Sequence, residues 1–284
     1  MVVGKQHITT GRITITGNFM NDSPIGKKSL GQHWLRDDYS LESIVEAADI
    51  KPEDTVLEIG PGLGTLTEKL VKRSSRVVAV ELDAPLASQL LRRVPVDNLT
   101  VTTQDILAYD LTQLPSGYKV VANIPYYLTS KLLRQLCESS NPFSKAALLV
   151  QKEVAERVCA GPGSGSILTI SVQFYAKASL GPIVPAHLFS PPPKVDSQIL
   201  QLEFRQEPLF PDVDTKGFFR IVKAGFSQRR KTLLNSLSGG LQIGKPQAAD
   251  LLSRAEIDPT MRAQTLSLDQ WYNLYLLAET DQII

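Results

Sequence analysis

The stretch LEIGPGLGTLT, Leu57–Thr67, runs an apolar strand into three glycines and on into helical spacing. Glycine permits the positive φ of a tight strand-to-helix turn and lets a ligand approach the backbone. Outward from this loop the chain keeps one rhythm. The strand-like segments are TVLEI (Thr55–Ile59), RVVAVEL (Arg76–Leu82), LTVTTQD (Leu99–Asp105), KVVANI (Lys119–Ile124) and KAALLVQ (Lys145–Gln151). Between them GTLTEKLVKR, PLASQLLRRV and SKLLRQLCES have helical spacing. Short apolar strands alternating with amphipathic helices predict an α/β fold, a Rossmann-like parallel sheet covered on both faces.

Later the rhythm changes. ILTISVQFYAKASLGPIVP and SQILQLEF read as strand-rich, with no helix between them, and predict an antiparallel hairpin at the sheet edge. GPGSGS (Gly161–Ser166) reads as a flexible loop. From about Pro208 the pattern is purely helical, with EPLFP as a linker before it. FFRIVKAGFSQRRKTLLNSL is expected to break into two helices at Gly225 and Ser227, followed by PQAADLLSRA and LDQWYNLYLLAET. The expected division is a flexible N-terminal extension over 1–26, a sheet domain over 27–207 and a small all-helical domain over 208–284.

At 284 residues and 43% hydrophobic, the chain is long and apolar enough to bury a sizeable core. No apolar run is long enough to span a bilayer and no signal-peptide h-region opens the chain, so a cytoplasmic protein is expected; it is also expected to be a monomer. Cys137 and Cys159 suggest no disulfide framework, and His7, His33 and His187 have no metal-ligand spacing, so no metal is expected. The net charge of +1 conceals a run from Lys216 to Lys231 with six basic residues and no acid. Such a run fits an anionic partner on one face, and equally a solvated helix face.

A glycine loop alone is as readily a plain turn. Three acids sharpen the reading: Glu58 before the loop, Glu81 ending the second strand and Asp105 ending the third. All lie at carboxyl ends of strands, where doubly wound sheets bind ligands and where an acid accepts hydrogen bonds from ribose hydroxyls. The glycines read Gly-x-Gly-x-Gly, which departs from the dehydrogenase spacing Gly-x-Gly-x-x-Gly. S-adenosylmethionine has no pyrophosphate to cradle, and its cationic sulfonium suits an acidic rim, so the pocket leans toward a methyl donor. The fourth strand ends NIPYY beside the same pocket. An exocyclic base amine is a poor nucleophile, because its lone pair is delocalised into the ring. The Asn123 side-chain oxygen and the Ile124 carbonyl could accept its two hydrogens and aim that lone pair. Pro125 would fix the backbone, and Tyr126 would stack on a base taken out of its helix.

NIPY resembles the Asn/Asp-Pro-Pro-Tyr/Phe signature of amino-group methyltransferases. The chain is more specifically similar to the ribosomal RNA adenine dimethyltransferase family, the kasugamycin-sensitivity dimethylases of the small subunit. KKSLGQHWLRD (Lys27–Asp37), LEIGPGLGTLT, VELD, QDIL, NIPYYLTS, FSPPPKVDS (Phe189–Ser197) and GFSQRRKTLLNSL (Gly225–Leu237) follow in family order. The resemblance implies a class I methyltransferase sheet and S-adenosylmethionine as cofactor. It implies methyl transfer to N6 of two adjacent adenosines near the 3′ end of small-subunit (16S) rRNA, with the pre-30S particle as partner. His33, Leu35, Gly60 and Gly62 would line the donor pocket. Glu81 would hold the ribose hydroxyls and Asp105 the adenine amine of the donor, with Leu82 and Ile106 beside them in the cofactor site, and Asn123 would serve both donor and target. Tyr126 and Phe189 would sandwich the target adenine, and Arg229, Arg230 and Lys231 would bind RNA phosphate. The sequence departs from common family patterns at His33 and Trp34 and in the short Gly161–Ser166 loop. The rivals are a large-subunit adenine methylase of the erythromycin-resistance type and an assembly factor that mainly binds the pre-ribosomal particle. A dehydrogenase lacks support in the glycine spacing.

Overall fold

The computed structural model describes residues 32–210 and 212–284. The expected extension, 1–26, and the first part of KKSLGQHWLRD lie outside the described residues.

The main sheet has seven strands: β1 Thr55–Ile59, β2 Arg76–Glu81, β3 Leu99–Thr103, β4 Lys119–Asn123, β5 Lys145–Gln151, β6 Ala176–Val184 and β7 Ser197–Phe204. Their order across the sheet is β3-β2-β1-β4-β5-β7-β6. β1 to β5 run parallel, and β7 inserts antiparallel between β5 and β6. The chain steps outward from β1 to β3 and then restarts on the other side of β1 with β4. A reversal of strand order at that point opens a crevice at the carboxyl ends of the strands.

The strands read as near-continuous apolar runs because helices cover both faces. Successive residues serve opposite cores. Val56, Val77, Ala79 and Val121 pack with Leu41, Ile44 and Val45 of α1 (Asp38–Ala47), Leu70 of α2 (Thr67–Leu70) and Leu90 of α3 (Ala84–Arg93). Leu57, Val78, Val80 and Val120 pack with Leu132, Leu133 and Leu136 of α4 (Thr129–Cys137) and with Ala155 and Val158 of α5 (Lys152–Val158).

The strand reading of ILTISVQFY is corrected: it forms α6, Ile167–Tyr175. The Ser166 hydroxyl accepts from the Thr169 N–H at 3.1 Å, and the Thr169 hydroxyl accepts from the Ser166 N–H at 3.0 Å. This box starts the helix. Val172 faces the sheet core, whereas Ile170 and Phe174 enter a separate helical core. A helix apolar on two sides has no amphipathic period, and its β-branched residues then look like a strand. The expected edge hairpin remains, formed by β6 and β7.

The C-terminal helices are α7 (Thr215–Gly225), α8 (Leu233–Leu241), α9 (Lys245–Arg254) and α10 (Leu268–Thr280). A Cβ on Gly225 would stand 2.4 Å from the Trp271 ring, and one on Gly240 would stand 2.6 Å from the Ala224 Cα. Both glycines thus allow close helix packing, and the break falls after Gly225, at SQRRKT. The Gly161–Ser166 loop is docked rather than free: the Gly163 and Gly165 N–H groups donate to the Gln264 carbonyl at 3.0 and 3.1 Å. Among the described residues no helix is long and apolar enough to cross a membrane.

Candidate active site

A cavity of about 300 Å³ opens at the carboxyl ends of β1, β2 and β4. Its wall includes His33, Leu35, Gly60, Gly62, Glu81, Leu82, Asp105, Ile106, Asn123, Ile124, Pro125, Tyr126 and Phe189. Every residue proposed from the sequence for donor or target is therefore brought to one place.

The three glycines after β1 all have positive φ, at 68°, 54° and 85° for Gly60, Gly62 and Gly64. Each answers to a different neighbour. A Cβ on Gly60 meets nothing within 4 Å, so this backbone is open to approach. A Cβ on Gly62 would stand 2.4 Å from the Trp34 ring, and one on Gly64 would stand 2.7 Å from Leu90 Cδ1 on α3. The loop is thus pinned between an aromatic lid and a helix, with its first glycine free.

Glu81 is buried, and its carboxylate organises the loop beside it. It accepts from the Gly62 N–H at 3.1 Å and from the Asp83 N–H at 2.9 Å. Burial raises its pKa, and those two N–H groups oppose the rise. Glu58 is only 1% exposed, and neither of its oxygens has a hydrogen-bond partner of proper geometry. Burial pushes its pKa up to about 8, opposed by the Thr67 hydroxyl and reinforced by Glu81. At neutral pH it is therefore mostly protonated. Asp105 is exposed at the rim, and its Oδ1 accepts from the Leu107 N–H at 2.9 Å, capping a short turn of 3₁₀ helix.

Three segments distant in sequence converge on Asn123. Trp34–Leu35 pairs antiparallel with Phe189–Ser190. The His33 Nδ1 lies 2.7 Å from the Pro191 carbonyl, which fixes it as the donor nitrogen. The Asn123 Nδ2 donates to the His33 carbonyl at 3.3 Å, which turns the amide oxygen away from that contact. The Ile124 N–H donates to the Leu149 carbonyl at 3.1 Å. The Tyr126 ring stacks beside that of His33, with centroids 6.0 Å apart, and its hydroxyl lies 2.9 Å from the buried Ser197 Oγ. Phe189 forms cavity wall but is only 4% exposed.

The ribosomal RNA adenine dimethylase family model matches residues 25–280. The chain belongs to that family. It is 45% identical over 259 residues to the ribosomal RNA small subunit methyltransferase A of Dehalococcoides mccartyi strain CBDB1, covering 88% of this chain and 87% of the relative. The protein of the same name from Lactococcus lactis is 40% identical, covering 87% and 88%. Among solved structures, a dimethyladenosine transferase from Plasmodium falciparum superposes with a TM-score of 0.77 at 28% identity, covering 88% of this chain and 98% of that one. The 23S rRNA methyltransferase ErmE superposes with a TM-score of 0.71 at 27% identity, covering 87% and 99%. The class I methyltransferase sheet expected from the motifs is the fold of this dimethylase.

In this member of the dimethylase family, Arg229, Arg230 and Lys231 do not line the cavity. They are exposed on the connection between α7 and α8. The structure adds to the cavity wall Glu58, Trp34, Gln104, Tyr127 and Lys131. Glu58 is one of the three acids that mark the strand ends, and Trp34, Gln104 and Tyr127 stand inside quoted motifs without an assigned role. Lys131 follows NIPYYLTS directly, and nothing in its spacing distinguishes it.

Proposed function

We propose that this dimethylase transfers methyl groups from S-adenosylmethionine to N6 of two adjacent adenosines near the 3′ end of small-subunit rRNA, within the pre-30S particle. The observation that carries the reading is the convergence of the glycine loop, Glu81 and the NIPY strand end on one cavity. The relatives at 40–45% identity bear the small-subunit name. A second reading, large-subunit methylation, has the ErmE superposition in its favour, at the lower identity of 27%.

The cavity residues fit the donor. Gly60 leaves open space at the backbone, and Glu58 presents buried oxygens without partners. Glu81 stands at the end of β2, where a carboxylate accepts ribose hydroxyls. Glu58 and Gly60 would face the amino-acid part, Leu35 and Gly62 the body of the donor, and Leu82, Asp105 and Ile106 its adenine. S-adenosylmethionine, when bound, supplies an electrophilic methyl on sulfur. Asn123 Oδ1 and the Ile124 carbonyl would accept the two target N–H groups and turn the nitrogen lone pair out of conjugation. After the first methylation one N–H remains, so one acceptor suffices for the second. Pro125 holds the two acceptors at a fixed separation from the Tyr126 ring. Phe189 would face the base from the side opposite Tyr126. No strong general base is required, because the positioned amine loses its proton only as it gains positive charge. Positioning supplies most of the rate. Arg229, Arg230 and Lys231, in the 208–284 helical part, would hold rRNA phosphates.

The test is incubation with methyl-labelled donor and either small-subunit particles or naked large-subunit rRNA, followed by mapping of the modified base. Dimethyladenosine at two neighbouring small-subunit positions supports the reading. Label confined to large-subunit rRNA favours the second.

A further inference from the structure

Tyr126 and Tyr127 are adjacent, yet the fold treats them oppositely. Tyr126 is half-buried, with its hydroxyl on Ser197 and its ring beside His33. Tyr127 is 61% exposed at the mouth of the same cavity, and its side chain makes no hydrogen bond or ring contact with the described residues. Lys131, also exposed on the cavity wall, forms no ion pair among them. The next basic residue along the helix, Arg134, is already engaged by Glu138 at 2.8 Å. Tyr127 and Lys131 are four residues apart where a 3₁₀ turn, Tyr126–Leu128, runs into α4. Both line the same cavity, whereas the helix buries Leu132, Leu133 and Leu136 on its inner side. An unused ring and an unused cation thus share the rim.

We propose that Tyr127 and Lys131 form a subsite for the nucleotide flanking the target adenosine, Tyr127 stacking on its base and Lys131 pairing with its phosphate. This subsite rests on the function proposed above. A strand that delivers one base into the cavity must carry its neighbour across the rim. A bare aromatic face with a cation one turn away is the chemistry that holds single-stranded nucleotides. Because stacking tolerates any base, the subsite adds affinity and register more than sequence choice, with purines held best.

The test is single-turnover methylation over a range of small-subunit particle concentrations, alongside titration of donor affinity. Tyr127→Ala is expected to raise the particle concentration for half-maximal rate by about 5- to 140-fold, the range of one lost stack. Donor affinity should hold, and Tyr127→Phe should restore most of the loss. Lys131→Ala should lower the slope of log affinity against log salt by about 0.7. Reconstituted particles with an abasic ribose beside the target should cost the wild-type protein as much as Tyr127→Ala does, and cost that variant nothing more. Loss of donor affinity with particle affinity intact would assign the rim to the donor and overturn the proposal. So would independent, additive losses from the abasic substrate and from Tyr127→Ala. A wild-type protein that methylates no adenosine overturns the parent reading and the subsite with it.

Discussion

Asn123 donates its side-chain N–H to the His33 carbonyl across 3.3 Å, joining residues 90 positions apart. The bond orients the amide: with Nδ2 engaged, the oxygen is the atom left to accept. His33 is itself held by Pro191, and the next two residues pair with Phe189–Ser190. The orientation of one amide therefore depends on the N-terminal motif and on the proline-rich loop together.

Glu81 should prove a donor-binding residue. Glu81→Ala removes the acceptor at the end of β2 and also releases the Gly62 and Asp83 N–H groups. We expect donor affinity to fall by about 1.5–3 kcal/mol, the range for hydrogen bonds to a charged group. Calorimetric titration with S-adenosylmethionine reads it directly, and unchanged affinity would remove Glu81 from the site.

Glu58 should make the donor-free protein less stable as pH rises. Its pKa stands at 4.5 when unfolded and about 8 when folded, so folding favours the protonated form. The contribution is complete below pH 4.5 and is lost as pH climbs through about 8. Glu58→Gln keeps the shape without the charge. Urea unfolding across that window should show a flatter pH profile for the variant, and an identical slope would mean that another group titrates.

Tyr126 separates ring from hydroxyl. Tyr126→Phe keeps the stacking face but leaves Ser197 Oγ, which is fully buried, without its partner. We expect a stability loss of about 1 kcal/mol with little loss of transfer rate. Tyr126→Ala should slow transfer markedly. A Tyr126→Phe as inactive as Tyr126→Ala would put the hydroxyl in the chemistry.

Changing Arg229, Arg230 and Lys231 together to alanine should weaken particle binding and flatten its salt dependence by about two to three phosphate contacts. Donor affinity should be untouched, because none of the three lines the cavity. A fall in donor affinity at constant salt slope would contradict their assignment to RNA.

Much of the site could be read from sequence because strand ends announce themselves: the apolar runs that stop at Glu81 and Asn123 mark the rim of the sheet, and Asp105 follows two residues after β3 ends at Thr103. Two features could not be read. ILTISVQFY forms a helix between two cores, so burial on both sides removes the period that would identify it. The Trp34–Leu35 and Phe189–Ser190 pairing is two residues long on each side, too short for any alternation to show. The orientation of Asn123 depends on that ribbon, and so lay beyond the motif that named the residue.

The central claim is that Asn123 positions the target amine, beyond any contact it makes with the donor. Single-turnover methylation of small-subunit particles at saturating donor tests it most directly, with Asn123→Ala beside the wild-type protein. The variant's rate should be lower by on the order of a hundredfold or more, the scale for a group that acts chiefly in the transition state, with donor still bound. A near-wild-type rate for Asn123→Ala would contradict it.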